Sequence, residues 1–210
     1  MLQNKYFIMI SILCLAIIVW IIFSLRQDAP ITNIDSTNTT IIAFGDSLVY
    51  GVGSTPAHDF ISLLSAKIGQ PIINLGVSGD TTRKGLVRID EVTAQKPRIV
   101  ILLLGGNDYL QKIPQDETFT NLATIIEKIH SSGSAVLLLG VRGGLLRDTY
   151  ADRFAEFAKE QRVGFVPNIL DGLITDTRYM SDAIHPNDIG YAKIAEKIEP
   201  VLQRMLRGEN

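Results

Sequence analysis

The sequence predicts an α/β domain, a parallel sheet of five strands with helices on both faces. Three observations lead there. Between residues 40 and 206, short apolar runs alternate with stretches patterned at helical spacing. The run Arg98–Leu104 is apolar at almost every position from Ile99 onward, the mark of a strand buried on both faces. The first three runs each stop abruptly in a small-residue turn: Gly45-Asp46-Ser47, Gly76-Val77-Ser78-Gly79 and Gly105-Gly106-Asn107-Asp108. Ligands of open parallel sheets collect beyond the carboxyl ends of the strands, so these three turns are expected on one rim.

The elements follow in order. Thr40–Phe44 is the first strand. Phe60, Leu63, Leu64 and Ile68 recur at helical spacing, and Gly69 stops that helix. Pro71–Leu75 is the second strand, and Thr82–Ala94 reads as one helix. Arg98–Leu104 is the third strand. Phe119, Leu122, Ile126 and Ile129 mark a helix that ends before Gly133. Ala135–Leu139 and Val163–Val166 are the fourth and fifth strands, with a helical pattern over Tyr150–Gln161 between them. Residues 167–186 lack a period. Asn187 is placed to cap a last helix, whose stripe runs through Tyr191, Ile194, Ala195, Ile198, Val201, Leu202 and Met205. Pro200 is expected to kink or interrupt it.

Ahead of the domain lies a different kind of sequence. Tyr6 to Leu25 carries no charge and is long enough to cross the hydrocarbon core of a bilayer as a helix. It exceeds the usual apolar region of a signal peptide, no small-residue cleavage site follows, and the bulky Leu13 before Cys14 argues against lipoprotein processing. Residues 1–26 therefore read as an uncleaved transmembrane anchor, 27–39 as a polar tether and 40–210 as the working domain, with secretion after cleavage as the alternative. Lys5 and the terminal amine face a far side where Arg26 is the last basic residue before Lys67. That asymmetry favours a cytoplasmic N-terminus and an exported domain.

Without residues 1–26 the chain holds 18 basic and 22 acidic side chains, no footprint for nucleic acid. Cys14, the only cysteine, lies inside the apolar span, which excludes a disulfide or a cysteine-based metal site in the domain. Gly51-Val52-Gly53 lacks the remainder of a dinucleotide-binding fingerprint.

A hydroxyl at a strand end becomes a nucleophile only with a base, and the base needs an orienting partner. Ser47 ends the first strand. Of the three histidines, His58 reads as a surface or capping residue, and His130 as a cation complementing a helix C-terminus. His185 stands in the aperiodic loop with Asp182 three residues before it, so one loop can set the carboxylate on Nδ1 and leave Nε2 for Ser47. Acyl transfer also needs oxyanion donors. The backbone N–H groups of Ser47 and Gly79 and the side-chain amide of Asn107 are available for this. Asp46 and Asp108 read as residues that fix turns, and Arg142 as a solvated residue of the Val141–Leu146 loop.

Taken together, Gly45-Asp46-Ser47-Leu48, Ser78-Gly79-Asp80-Thr81, Gly105-Gly106-Asn107-Asp108 and Asp182-Ala183-Ile184-His185-Pro186-Asn187 resemble, in order and spacing, the four blocks of the GDSL or SGNH hydrolase family. The resemblance covers residues 39–206 and is strongest to the bacterial acyl-thioesterases, lysophospholipases and arylesterases. It implies a three-layer flavodoxin-like sheet of order 2-1-3-4-5, with Ser47 as nucleophile, Asp182 and His185 as its partners, and Ser47, Gly79 and Asn107 as oxyanion donors. It further implies a serine esterase acting on esters or thioesters of fatty acyl groups, without metal or cofactor. A carbohydrate or cell-wall O-acetyl esterase keeps the chemistry and changes the substrate. A non-catalytic flavodoxin-like binding module is the rival outside enzymes. The expected location is the bacterial inner membrane, single pass, with the domain outside.

Overall fold

The computed structural model describes residues 29–142 and 149–210. The expected anchor, residues 1–26, lies outside the described residues, as do 27 and 28 and most of the Val141–Leu146 loop. No helix among the described residues is long and apolar enough to cross a membrane.

Five parallel strands form one sheet: β1 Ile41–Gly45, β2 Ile72–Gly76, β3 Ile99–Leu103, β4 Ala135–Leu139 and β5 Gly164–Val166. Their order is β2-β1-β3-β4-β5, the order expected. The helices are α1 Ser47–Tyr50, α2 Phe60–Ile68, α3 Thr82–Arg88, α4 Asp90–Thr93, α5 Gly106–Leu110, α6 Gln115–Ser131, α7 Thr149–Glu160 and α8 Asp188–Leu206. Every residue of β1, β3 and β4 is buried, so helices cover both faces of the sheet centre. On one side Phe60 of α2 stacks on Tyr191 of α8, centroids 6.2 Å apart. On the other, Phe119 of α6 packs edge-on against Phe154 and Phe157 of α7 at 5.0 and 5.1 Å.

The register places the functional turns. Gly45 pairs with Gly76 on one side and Leu103 on the other, so the first three strands end level. Gly45 is required by close approach: a Cβ there would lie 2.2 Å from the Leu103 carbonyl oxygen and 2.5 Å from Val49 Cγ2.

Local details differ from the sequence reading. The single helix expected over Thr82–Ala94 is two, α3 and α4, joined at Ile89, itself in helical conformation and fully buried. Helix α8 runs through Pro200 as one element. Pro200 lies on the exposed side, where water can satisfy the Glu196 carbonyl that has lost its donor. His130 is half-buried. Its Nε2 has no hydrogen-bond partner among the described residues, and burial lowers its pKa, so it is a neutral ring and not the cation expected at the end of α6. Within the stretch read as a tether, residues 31–34 lie on the domain. Thr32 N–H donates to the Arg162 carbonyl at 2.9 Å, and the Asn33 amide donates to the carbonyls of His130 and Ser134 at 2.8 and 3.2 Å. Ile31 and Ile34 pack against the core.

Candidate active site

The turn after β1 carries Asp46 and Ser47. Asp46 caps the one-turn helix α1, its carboxylate accepting the Leu48 N–H at 3.0 Å. Ser47 is the first residue of α1, so its N–H has no intrahelical partner. Burial pushes the Asp46 carboxyl up to about 7, against the opposing Leu48 hydrogen bond; His185 lowers it further, while Asp80 and Asp108 raise it. The folded protein therefore holds this proton from 3.8 to about 7, where the unfolded chain has released it. Stability is greatest below that window, falls as the pH rises through it, and levels off above it. Asparagine caps as well as aspartate but carries no proton to lose. Asp46→Asn is accordingly expected to gain a few kcal/mol relative to wild type between pH 5 and pH 8, measured by urea unfolding of both proteins at each pH. A difference independent of pH contradicts this.

The loop before α8 brings the distant half of the site. Asp182 Oδ1 accepts the N–H groups of Ile184 and His185, both at 2.8 Å, and its Oδ2 lies 2.7 Å from His185 Nδ1. His185 Nε2 is 3.0 Å from Ser47 Oγ. The three charge-assisted contacts hold the Asp182 carboxyl down at about 2, the imidazole contact first among them. The loop closes on itself, since the His185 carbonyl accepts Ser181 N–H at 2.8 Å and Asn187 N–H reaches the Tyr179 carbonyl at 2.9 Å. Asn187 then caps α8 through the N–H groups of Ile189 and Gly190. Gly53 lets this loop seat against the one after α1: it has φ +94°, and a Cβ there would lie 2.2 Å from Ser181 Oγ.

The other two turns meet Ser47 on the same rim. Gly79 has φ +80°, a conformation that suits glycine, with open space where a Cβ would stand. The Asn107 amide nitrogen donates to the Asp80 carbonyl at 2.9 Å and, more weakly, to Asp46 Oδ2 at 3.5 Å, which orients the group beside the turn carrying Ser47. Removing such a donor costs a developing oxyanion its partner and leaves ground-state binding intact. Asn107→Ala is expected to lower kcat by about 10²- to 10³-fold with little change in KM, measured on a soluble ester. A change confined to KM contradicts that role.

Asp108 does more than fix its own turn. It is fully buried and accepts both the N–H and the hydroxyl of Thr82, with the Thr118 hydroxyl at 3.3 Å, tying α3 and α6 to the end of β3. Arg88 did not stand out in the sequence. Its Nε lies 2.6 Å from Asp80, and its other nitrogens donate to the carbonyls of Leu75 and Gly45, each at 2.9 Å. The guanidinium also lies 4.0 Å from the centre of the Phe44 ring. One side chain thus joins the ends of β1 and β2 to the turn carrying Gly79. Only its position in α3, on a face aimed at strand ends, could have revealed this. His58 is exposed and bonds locally to Thr55 and Pro56, with no bond to Ser47, Asp182 or His185 among the described residues.

Beside Ser47 a cleft of about 170 Å³ opens, lined on its apolar side by Leu48, Tyr109, Leu110, Leu170, Ile174 and Ile184. Arg142 stands exposed at its edge. A hydroxyl joined to a histidine and a carboxylate, with donors opposite and apolar walls alongside, is suited to acyl transfer from a greasy substrate.

The chain is similar to several known proteins. Esterase TesA of Pseudomonas aeruginosa is 29% identical over 182 residues, 80% of this chain and 89% of that protein. An arylesterase of Vibrio mimicus is 32% identical over 79% of this chain and 89% of its own. Thioesterase 1/protease 1/lysophospholipase L1 of Escherichia coli is 27% identical over 81% and 86%. A crystal structure of TesA superposes with a TM-score of 0.71, covering 80% of this chain and 99% of that one at 29% identity. Residues 43–193 match the GDSL-like lipase/acylhydrolase family, and the chain belongs to it.

Proposed function

We propose that this protein is a serine esterase that hydrolyses carboxylic esters or thioesters of fatty acyl groups through an acyl-enzyme on Ser47. The observation that carries the reading is the continuous contact Ser47–His185–Asp182, at 3.0 and 2.7 Å, opening onto an apolar cleft. Ser47 Oγ attacks the acyl carbon while His185 Nε2 takes its proton. The oxyanion rests on the N–H groups of Ser47 and Gly79 and on the Asn107 amide. His185 returns the proton to the departing alcohol or thiol, and the Ser47 ester remains. Water then attacks this ester, giving its proton to His185. The acid leaves, and Ser47 regains its hydrogen. Asp182 keeps the imidazole proton on Nδ1, so that Nε2 is the base.

The test is hydrolysis by the full-length chain in detergent, on p-nitrophenyl esters and acyl-CoA thioesters of graded chain length. Turnover that rises from acetyl to medium chains supports the reading. Turnover of acetyl esters alone overturns it in favour of deacetylation. Residues 6–25 are further proposed to hold the domain at the bacterial inner membrane, with its catalytic side exported. The length of the uncharged run and the charges around it support this. Fractionation of cells checks it, since a protein of reduced mass in the soluble fraction means cleavage and release.

A further inference from the structure

The point at which the chain joins the domain has a fixed place on the fold. Thr32 bonds to Arg162, just before β5, and Asn33 to His130 and Ser134, just before β4. Ile31 N–H reaches Asn210 at the end of the chain, beyond α8. All these partners lie at the amino ends of the strands, where the helices finish. Ser47, Gly79, Asn107 and His185 lie at the carboxyl ends. The segment leading to residues 6–25 therefore enters through the base of the sheet, opposite the catalytic rim.

Chain length makes this geometry restrictive. From Arg26 to Thr32 is six residue steps, which span at most about 21 Å. A domain of this size is about 40 Å across. For the rim to touch the bilayer, the attachment point would have to rise to nearly the full height of the domain, beyond that reach.

We propose that the base of the sheet is the face turned toward the bilayer that holds residues 6–25, and that the catalytic cleft opens away from it. This rests on the reading of residues 6–25 as an anchor. The enzyme then takes acyl substrates from the aqueous phase or from another surface, and not out of its own leaflet. Exposed apolar residues around the cleft, Leu110 at 53% and Ile174 at 41%, meet the acyl chain of an arriving substrate rather than the resident membrane.

Energy transfer to the membrane surface tests this with the full-length chain. In a Cys14→Ser background, Asp35→Cys at the base and Asp116→Cys at the rim are each labelled with a donor dye and reconstituted into phosphatidylcholine–phosphatidylglycerol vesicles containing rhodamine-labelled lipid. Hydrolysis of p-nitrophenyl butyrate verifies that each labelled protein is folded. The two ends of α6 lie about 25 Å apart along its axis, so transfer from position 35 is expected to exceed transfer from position 116 by about twofold. Intact protein that floats with the vesicles but shows equal or reversed transfer overturns the orientation alone. Intact protein that fails to float overturns the anchor, and the orientation with it.

Discussion

Replacing Ser47 with alanine leaves a folded domain whose ester hydrolysis is lower by about 10³- to 10⁶-fold. The fold should survive because Ser47 does not cap α1; Asp46 does, through the Leu48 N–H. Among the described residues the Ser47 hydroxyl bonds to one side chain, His185 Nε2, whose loop stays in place when the hydroxyl is gone. The substitution thus removes the attacking oxygen and little else. Circular dichroism and thermal unfolding should match wild type, while kcat on p-nitrophenyl esters collapses. Equal rates for the two proteins would mean that another group receives the acyl chain.

Asp182→Asn is expected to lower kcat by about 10³- to 10⁴-fold, although the carboxylate is half exposed. The reason lies in its two backbone contacts. Ile184 and His185 each donate an N–H to Oδ1. In the asparagine variant those donors hold the amide oxygen in the same place, and the NH₂ group then faces His185 Nδ1. That nitrogen must become the acceptor, the proton moves to Nε2, and the base toward Ser47 is lost. Asp182→Ala, which imposes no tautomer, should be less impaired than Asp182→Asn. The reverse order contradicts the argument. In wild type Asp182 stays ionised down to about pH 2, so its protonation is not what lowers kcat/KM on mild acidification.

The sheet was legible because burial on both faces leaves no polar residue in β3 and β4, and because a glycine ends or follows each of the first four strands. Its order came only with the family resemblance, since alternation of strands and helices does not say which strands pair. The positions of Ser47, Asp182 and His185 were legible for a local reason. The turn and the loop each carry their residues within a few positions, and only the contact between them is long-range. Short helices α1 and α5 were not seen, because one turn of helix has no hydrophobic period. Arg88 was not seen because an arginine spanning two strand ends looks, in sequence, like any charge on a helix. The docking of Thr32 and Asn33 was hidden for the same kind of reason: polar residues whose partners are backbone carbonyls far along the chain read as a tether.

The contact between Ser47 and His185 spans 138 positions in the chain. The loop bearing His185 is held by groups that arrive late, among them the Tyr191 hydroxyl on the Val52 carbonyl at 2.7 Å and the Asp188 carboxylate on Thr55. A ribosome delivers the hydroxyl 138 residues before the base. Until α8 docks, the unfinished chain holds an ordinary serine, inert toward the esters around it. The Ser47–His185 contact is expected to form only as α8 docks. Nascent chains halted before residue 185 should therefore be chemically silent, however well their five strands have formed.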